Sequence, residues 1–375
     1  MFIPPHCPNP ECINHFHPLS GPWYRRISPY HTITFGSVPR FRCKTCHKTF
    51  SRQTFSIDYY SKKKLSHLYI FNQINSGAGL RNIARNLHVS PKAITRRINQ
   101  MARNALLIHQ GILDELPFCE HFAADGFESF CVSQYFPDNY NILVGRDSQF
   151  VYHWNYTTLR RKGRMTSSQK KKRKRLETVY RAPPGGIEES FSDLLEFLEM
   201  RTHSRKRYLI LSTDEKKDYE RALYRSPACR MRAFDGSWRH QRISSEDPRT
   251  RRNPLFAVNY MDREFRKDMA SHARETVQFG RNVNNAMLRM GLYIFDHNYF
   301  KPYRVADSEK RHMRHAQVAG LNQDYLNGMV SGFFTSRYFW RKDHPMERVH
   351  RKTLNREWVT PMKKRAEVVR NHQLV

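Results

Sequence analysis

HFAADGFESF (121–130) and YLILSTDEKK (208–217) decide the reading of this chain. Each sets a short apolar run before an acid: Ala123 and Ala124 before Asp125, and Leu209 to Leu211 before Asp214. Apolar runs of this length bounded by turn signals read as buried strands. The first is expected to end near Asp125; the second ends at Asp214 and runs into a helix. Between them, YNILVGRD (140–147) and FVYHWNYTTL (150–159) read as two more strands, separated by a turn at 145–148. FSDLLEFLEMR (191–201) spaces Phe191, Leu194, Leu195 and Leu198 as one face of a helix. The sum is an α/β fold: a mixed sheet with a three-strand antiparallel start, flanked by helices. In such sheets ligands bind beyond the carboxyl ends of the strands. Asp125 and Asp214 meet there if their strands are neighbours.

Carboxylates that converge repel one another unless cations join them, and oxygen-rich sites suit Mg²⁺ or Mn²⁺. Two such ions support phosphodiester exchange. A third acid is expected from the helical stretch 254–299, with Asp262, Glu264 and Asp268 as candidates. At about 100° per residue, Val258, Phe265, Met269 and Ala273 define the apolar face, and Asp262 falls about 40° from its centre. Glu264 and Asp268 fall on the far side. Asp262 is therefore the expected third ligand, with Arg266 one turn later able to pair with it or to contact a phosphate.

Upstream lies CPNPEC (7–12) and then CKTC (43–46). Close cysteine pairs in a reducing compartment suggest metal rather than disulfides. Cys7, Cys12, Cys43 and Cys46 can present four thiolates tetrahedrally to one Zn²⁺ in a ribbon of short strands. The first pair is loosely spaced, so His6, His15, His17 or His47 could stand in for a cysteine. Four protein ligands leave zinc no open position, and the role is structural.

GLRNIARNLHVSPKAITRRINQ (79–100) follows. Ile83, Ala84 and Leu87 lie at helical spacing, Ser90 is a good N-cap and Pro91 fits a first helical position. Ile94 and Ile98 give a second buried stripe. Two helices joined this tightly read as a helix-turn-helix, with a preceding helix at about 62–75. The early residues of the second helix would then face base edges: Lys92, Thr95, Arg96 and Arg97.

The 375 residues hold 65 Lys plus Arg against 34 Asp plus Glu, a formal net charge of +31. A compact chain with that excess calls for a polyanion, and double-stranded DNA is the expected one; charge alone would also admit RNA. Basic residues run through the whole sequence rather than along one amphipathic segment, which argues against a membrane surface. No apolar run approaches the ~20 residues of a membrane span, and the N-terminus lacks a signal-peptide layout, so a cytoplasmic, nucleoid-associated protein is expected. RRKGRMTSSQKKKRKR (160–175) reads as an exposed basic loop able to follow a DNA backbone. Texture divides the chain into a ribbon at 1–57, a helix-turn-helix and linker helix at 58–116, and a catalytic domain at 117–375 with a basic insertion near 160–200.

This order of parts resembles bacterial insertion-sequence transposases with a DDE/DDD catalytic domain. The resemblance spans nearly the whole chain. It is carried by CKTC (43–46), NIARNLHVSPKAITRRI (82–98), AADGFESF (123–130), LILSTDE (209–215) and VNYMDREFRKDMASHARETVQFGRNVNNAM (258–287). Arg266, Arg274, Thr276 and Phe279 are similar to the segment that follows the catalytic acid in small zinc-ribbon transposases. There the acid is usually Glu and lies a little further upstream, at a place held here by Asn259. The resemblance implies a ribonuclease H-like core, with Asp125, Asp214 and Asp262 holding two Mg²⁺ ions. It also implies Arg266 and Arg274 near DNA, nicking at element ends, attack of the freed 3′-hydroxyl on target DNA, and a homodimer or larger assembly on DNA. Two alternatives stay open: a transposase-derived DNA-binding regulator without catalysis, and a nuclease on the same fold.

Overall fold

A computed structural model describes residues 2–18, 21–203, 208–304, 312–340 and 344–363. A four-residue helix, α1 (Ile13–Phe16), precedes a three-stranded antiparallel sheet of β1 (Tyr24–Thr32), β2 (Gly36–Cys43) and β3 (Thr49–Ser51). Gly36 closes the β1–β2 turn at φ +64°, a left-handed conformation that a side chain resists. The small core of this unit is aromatic, with Trp23 and Phe41 each stacked on Phe50 at 5.8 Å.

Two short helices follow, α2 (His67–Ile74) and α3 (Leu80–Asn86), and then the 23-residue α4 (Pro91–Leu113). The start of α4 follows the sequence closely. Ser90 Oγ accepts the Ala93 N–H, and Pro91 occupies the first turn, where its missing donor costs nothing. Ile83, Ala84, Ile94 and Ile98 pack in the shared core. The rest of α4 continues beneath the main sheet, so one rigid helix joins the small helices to the large unit.

That unit is built on a five-stranded mixed sheet in the order β6-β5-β4-β7-β8. Its strands are β4 (Phe122–Phe130), β5 (Pro137–Gly145), β6 (Val151–Thr158), β7 (Leu209–Thr213) and β8 (Trp238–Arg242). The first three are antiparallel; β7 and β8 run parallel to β4. Helices α5 (Ser167–Glu177), α6 (Gly186–Thr202), α7 (Lys217–Arg225) and α8 (Pro227–Phe234) lie between β6 and β8 in the chain. Helix α6 covers one face, with Asn141 Nδ2 of β5 donating to Ser190 Oγ at 2.6 Å and His153 of β6 stacked on Phe197. The other face carries α9 (Phe256–Asp268) and α10 (Val283–Tyr299), together with α4. Close approach of α10 to α4 depends on Gly291, where a Cβ would lie 3.0 Å from Leu106 Cδ2. Three short helices complete the described chain: α11 (His315–Val318), α12 (Gln323–Ser331) and α13 (Arg348–Leu354). Among the described residues no helix is long and apolar enough to cross a membrane.

Several expectations change. Strand β4 does not end at Asp125; its antiparallel ladder with β5 continues to Phe130, paired with Pro137. The basic stretch is not a loop from end to end. From Ser167 it is helical, because Thr166 and Gln169 form a capping box and Glu177 gathers Arg160 and Arg173. Helix α9 stops at Asp268, so Ala273 and Arg274 lie in the connection to α10 rather than on the helix. Thr276 Oγ1 closes that connection by donating to Ala270 O at 2.7 Å.

Candidate functional site

Four thiols gather at the base of the small sheet. Cys7, Cys12, Cys43 and Cys46 place all their sulfur atoms within 4.8 Å of one another. Cys7 and Cys46 are 3.5 Å apart, Cys12 and Cys43 3.8 Å. A tetrahedron with Zn–S bonds of about 2.3 Å has edges of about 3.8 Å, so the cage is sized for one structural zinc ion. Asn14 Nδ2 points at the Cys12 and Cys43 sulfurs from 3.9 and 3.7 Å, a donor suited to thiolates. Burial pushes the Cys43 thiol up, but N–H groups of Cys46 and Thr45 outweigh it and bring it down to about 7. The histidines weighed as substitutes are not members of the cluster; His15 instead turns its Nδ1 to the Cys7 carbonyl.

A second constellation forms on the main sheet. The last paired residues of β4 and β7 are Ala123 and Ser212. Asp125 and Asp214 each lie two residues further on, so parallel register carries both carboxylates to one level of the sheet. β7 ends there while β4 continues, which opens the crevice beside Asp125. Helix α9 packs over the same strand through Phe265, whose ring is 5.3 Å from that of Phe127. This contact brings Asp262, one turn earlier, toward Asp125.

The electrostatics register that approach. Burial and the neighbouring Asp214 charge push the Asp125 carboxyl up to about 6, against the opposing pull of the Gly126 N–H, Lys216 and Arg249. Burial and the Asp125 charge push Asp262 up to about 8, with Arg266 and Lys216 pulling the other way. Asp262 Oδ1 is buried without a hydrogen-bond partner, an arrangement that a cation would satisfy. Among the described residues the four thiols are the one group of three or more His, Cys, Asp or Glu donors gathered within 4.8 Å. The three carboxylates are spread more widely.

Sequence reasoning missed the groups that support these acids. The buried Tyr219, in the first turns of α7, directs its hydroxyl to Asp125 Oδ1 at 3.4 Å and Asn141 Oδ1 at 3.3 Å. Lys216 donates its backbone N–H to Asp214 Oδ1 at 3.0 Å. The DEKKDY run contained both residues, but only the sheet shows that they face the site. Asp268 is held away from it by Tyr293 and Lys301. Glu264, expected on the far side of α9, is in fact buried and paired with Lys267 and Lys301. Asn259 leaves its Nδ2 buried and unpartnered.

The basic residues separate into two kinds. Lys92 and Arg96 are exposed at the start of α4, and Thr95 is half-buried, its hydroxyl turned back to Pro91 O. Arg97 corrects the expectation of a groove-facing side chain. It is 3 % exposed, ion-paired with Asp58 at 3.0 Å, and bonded to Ser61 and the Lys63 carbonyl. Arg266 lies over the Phe127 ring and donates to Glu128 O at 3.2 Å, while Arg274 is exposed. No protein-family model matches this chain, and no curated protein matches it.

Proposed function

We propose that the protein is a DNA transposase that cleaves strands at element ends and joins the 3′-hydroxyl ends to target DNA. The observation that carries this is that Asp125 feels the charge of Asp214, and Asp262 that of Asp125. They come from a strand, a strand end and a helix, with their charges coupled and one Asp262 oxygen unpartnered. Three antiparallel strands followed by parallel ones, flanked by helices, agree with the ribonuclease H-like core that the sequence resemblance implies.

In this reading Asp125, Asp214 and Asp262 hold two Mg²⁺ ions. Bound there, such ions activate a water or a 3′-hydroxyl and stabilise the leaving oxygen. The chain's own groups do the rest. Tyr219, kept protonated by its burial among carboxylates, holds Asp125 in place. Lys216, Arg249 and Arg266 surround the acids and would draw in phosphates. Helices α3 and α4 serve as a helix-turn-helix, with Lys92, Thr95 and Arg96 toward the major groove and Arg274 near the DNA backbone. The cysteine cage acts as a zinc ribbon. The net charge of +31 fits a double-stranded DNA partner in the nucleoid, and joining two ends calls for a homodimer or larger assembly.

Strand joining tests this reading. Pre-cut duplexes carrying the flanking ends of the protein's own gene, mixed with plasmid and Mg²⁺, should yield covalent end–plasmid products. Asp214→Asn should give none while still retarding the end duplex. Cut plasmid without joined product would turn the reading toward a nuclease. Binding without either product would turn it toward a regulator.

A further inference from the structure

A cavity of about 720 Å³ separates the α2–α4 helices from the far ends of β4 and β5, and none of the three site carboxylates lines it. Its size lies in the ~300–1,000 Å³ range of small-ligand sites. Three buried polar side chains among the residues that line it have unpartnered atoms. Asp138 is 1 % exposed and neither of its oxygens is hydrogen-bonded. The Tyr140 hydroxyl is likewise buried and unpartnered, as is His272 Nε2, while His272 Nδ1 is engaged by Ser129. Burial pushes the Asp138 carboxyl up and the His272 imidazole down, so both favour their uncharged forms, which offer donors and acceptors. Buried polar atoms without partners are rare in folded proteins, so they call for an occupant.

The rim differs in chemistry. Exposed Arg81, Arg85 and Arg281 line it, and half-buried Arg289 stands in the wall with no ion pair among the described residues. Phe130 and Phe279, 5.2 Å apart, form an aromatic side, with the Arg281 guanidinium over Phe279. A floor of neutral donors and acceptors suits a heterocycle edge. Aromatic rings suit its flat face, and arginines suit a phosphate.

We propose that this cavity binds one nucleotide, its base against Asp138, Tyr140 and His272 and its phosphate against the rim arginines. Arg81, Arg85 and Pro91 belong to the two helices assigned above to DNA, so the favoured source is a nucleotide extruded from bound DNA. That choice of source rests on the DNA-binding reading; the pocket itself does not.

The test uses full-length, zinc-loaded protein and two probes. One is the set of four deoxynucleoside 5′-monophosphates, followed by calorimetry. The other is the end duplex with 2-aminopurine at successive positions, followed by fluorescence. Ala286→Phe fills the cavity, and Arg289→Met removes its wall charge while keeping its length; if the first fails to fold, the second decides. Nucleotide binding weakened at least tenfold by these variants supports the pocket with free nucleotide as a source. A fluorescence rise on DNA binding that the variants abolish supports it with the strand as the source. Binding or fluorescence that the variants leave unchanged, or no signal from either probe, overturns it. Joining activity that survives in both variants, without any nucleotide signal, would remove the pocket and leave the transposase reading standing. Pocket-dependent nucleotide binding without joining would do the reverse.

Discussion

Asp125 and Asp214 lie the same two residues beyond the Ala123–Ser212 pair on adjacent parallel strands. Their carboxylates are therefore neighbours by register, and the charge of Asp214 raises the pKa of Asp125. Phe265 packs α9 onto Phe127, and Asp262 on that helix feels the Asp125 charge.

Asp262 should destabilise the protein when ionised. Its folded pKa, about 8, lies above the unfolded value of about 4, so the folded state binds the extra proton between them. Stability from this group is full below pH about 4 and is lost as pH rises through about 8. Without Mg²⁺, Asp262→Asn should stabilise the zinc-loaded protein at pH 8.5 by about 1–3 kcal/mol, a value discounted for partial exposure. At pH 5, only about one unit above the unfolded value, the gain should shrink to roughly a quarter of that. Urea unfolding at the two pH values checks this; an equal effect at both would mean that Asp262 does not titrate in this window.

The cysteine cage should bind one zinc per chain. Cys43→Ser removes a thiol that N–H donors lower and should lose most of that zinc, along with protection of β1–β3 from proteolysis. Metal analysis of purified protein reads the first and limited digestion the second. Unchanged zinc content would remove the cage as its site.

Two adjacent arginines should behave oppositely. Arg97→Met leaves Asp58 without its buried partner and should cost about 3 kcal/mol of stability. Arg96→Ala, at an exposed position, should change stability by less than about 0.5 kcal/mol and weaken DNA binding instead. Thermal unfolding alongside gel retardation separates the two roles.

Acid should unfold the protein through its buried histidines. Burial lowers His109, His153 and His272 to about 3 and His315 to about 4. The unfolded chain takes up their protons first, so this contribution is present above pH about 6.5 and is lost as pH falls. His153 has both ring nitrogens unpartnered and stacks on Phe197 at 4.5 Å. His153→Phe should keep the stacking and raise stability at pH 5 by about 1–2 kcal/mol. Denaturant midpoints at pH 5 and 7.5 measure it, with a smaller gain expected at the higher pH.

Local signals were legible in the sequence. The Ser90–Pro91 helix start, the paired cysteines and the apolar run into Asp214 are each specified by a few adjacent residues, and each forms where expected. Features that depend on a distant partner were not. The apolar run before Asp125 reads as a strand ending there, yet β5 continues the ladder on one side where β7 stops on the other. Arg97 sits in a basic helix but answers to Asp58, before α2. Glu264 faces outward on a helical wheel, yet α9 is also covered on that side, with Lys301 just beyond α10 as its counter-charge. Tyr219 carries no motif at all; only the fold brings its hydroxyl to Asp125.

The central claim is that three carboxylates act together with divalent metal on DNA. Nicking of duplex DNA that carries the flanking ends of the gene, with Mg²⁺ and then Mn²⁺, tests it most directly. Wild type should nick at the ends, while Asp125→Ala and Asp262→Ala should each reduce nicking at least a thousandfold, with end binding within about twofold of wild type. Nicking by Asp262→Ala at the wild-type rate, or binding without nicking by wild type under both metals, would contradict the account.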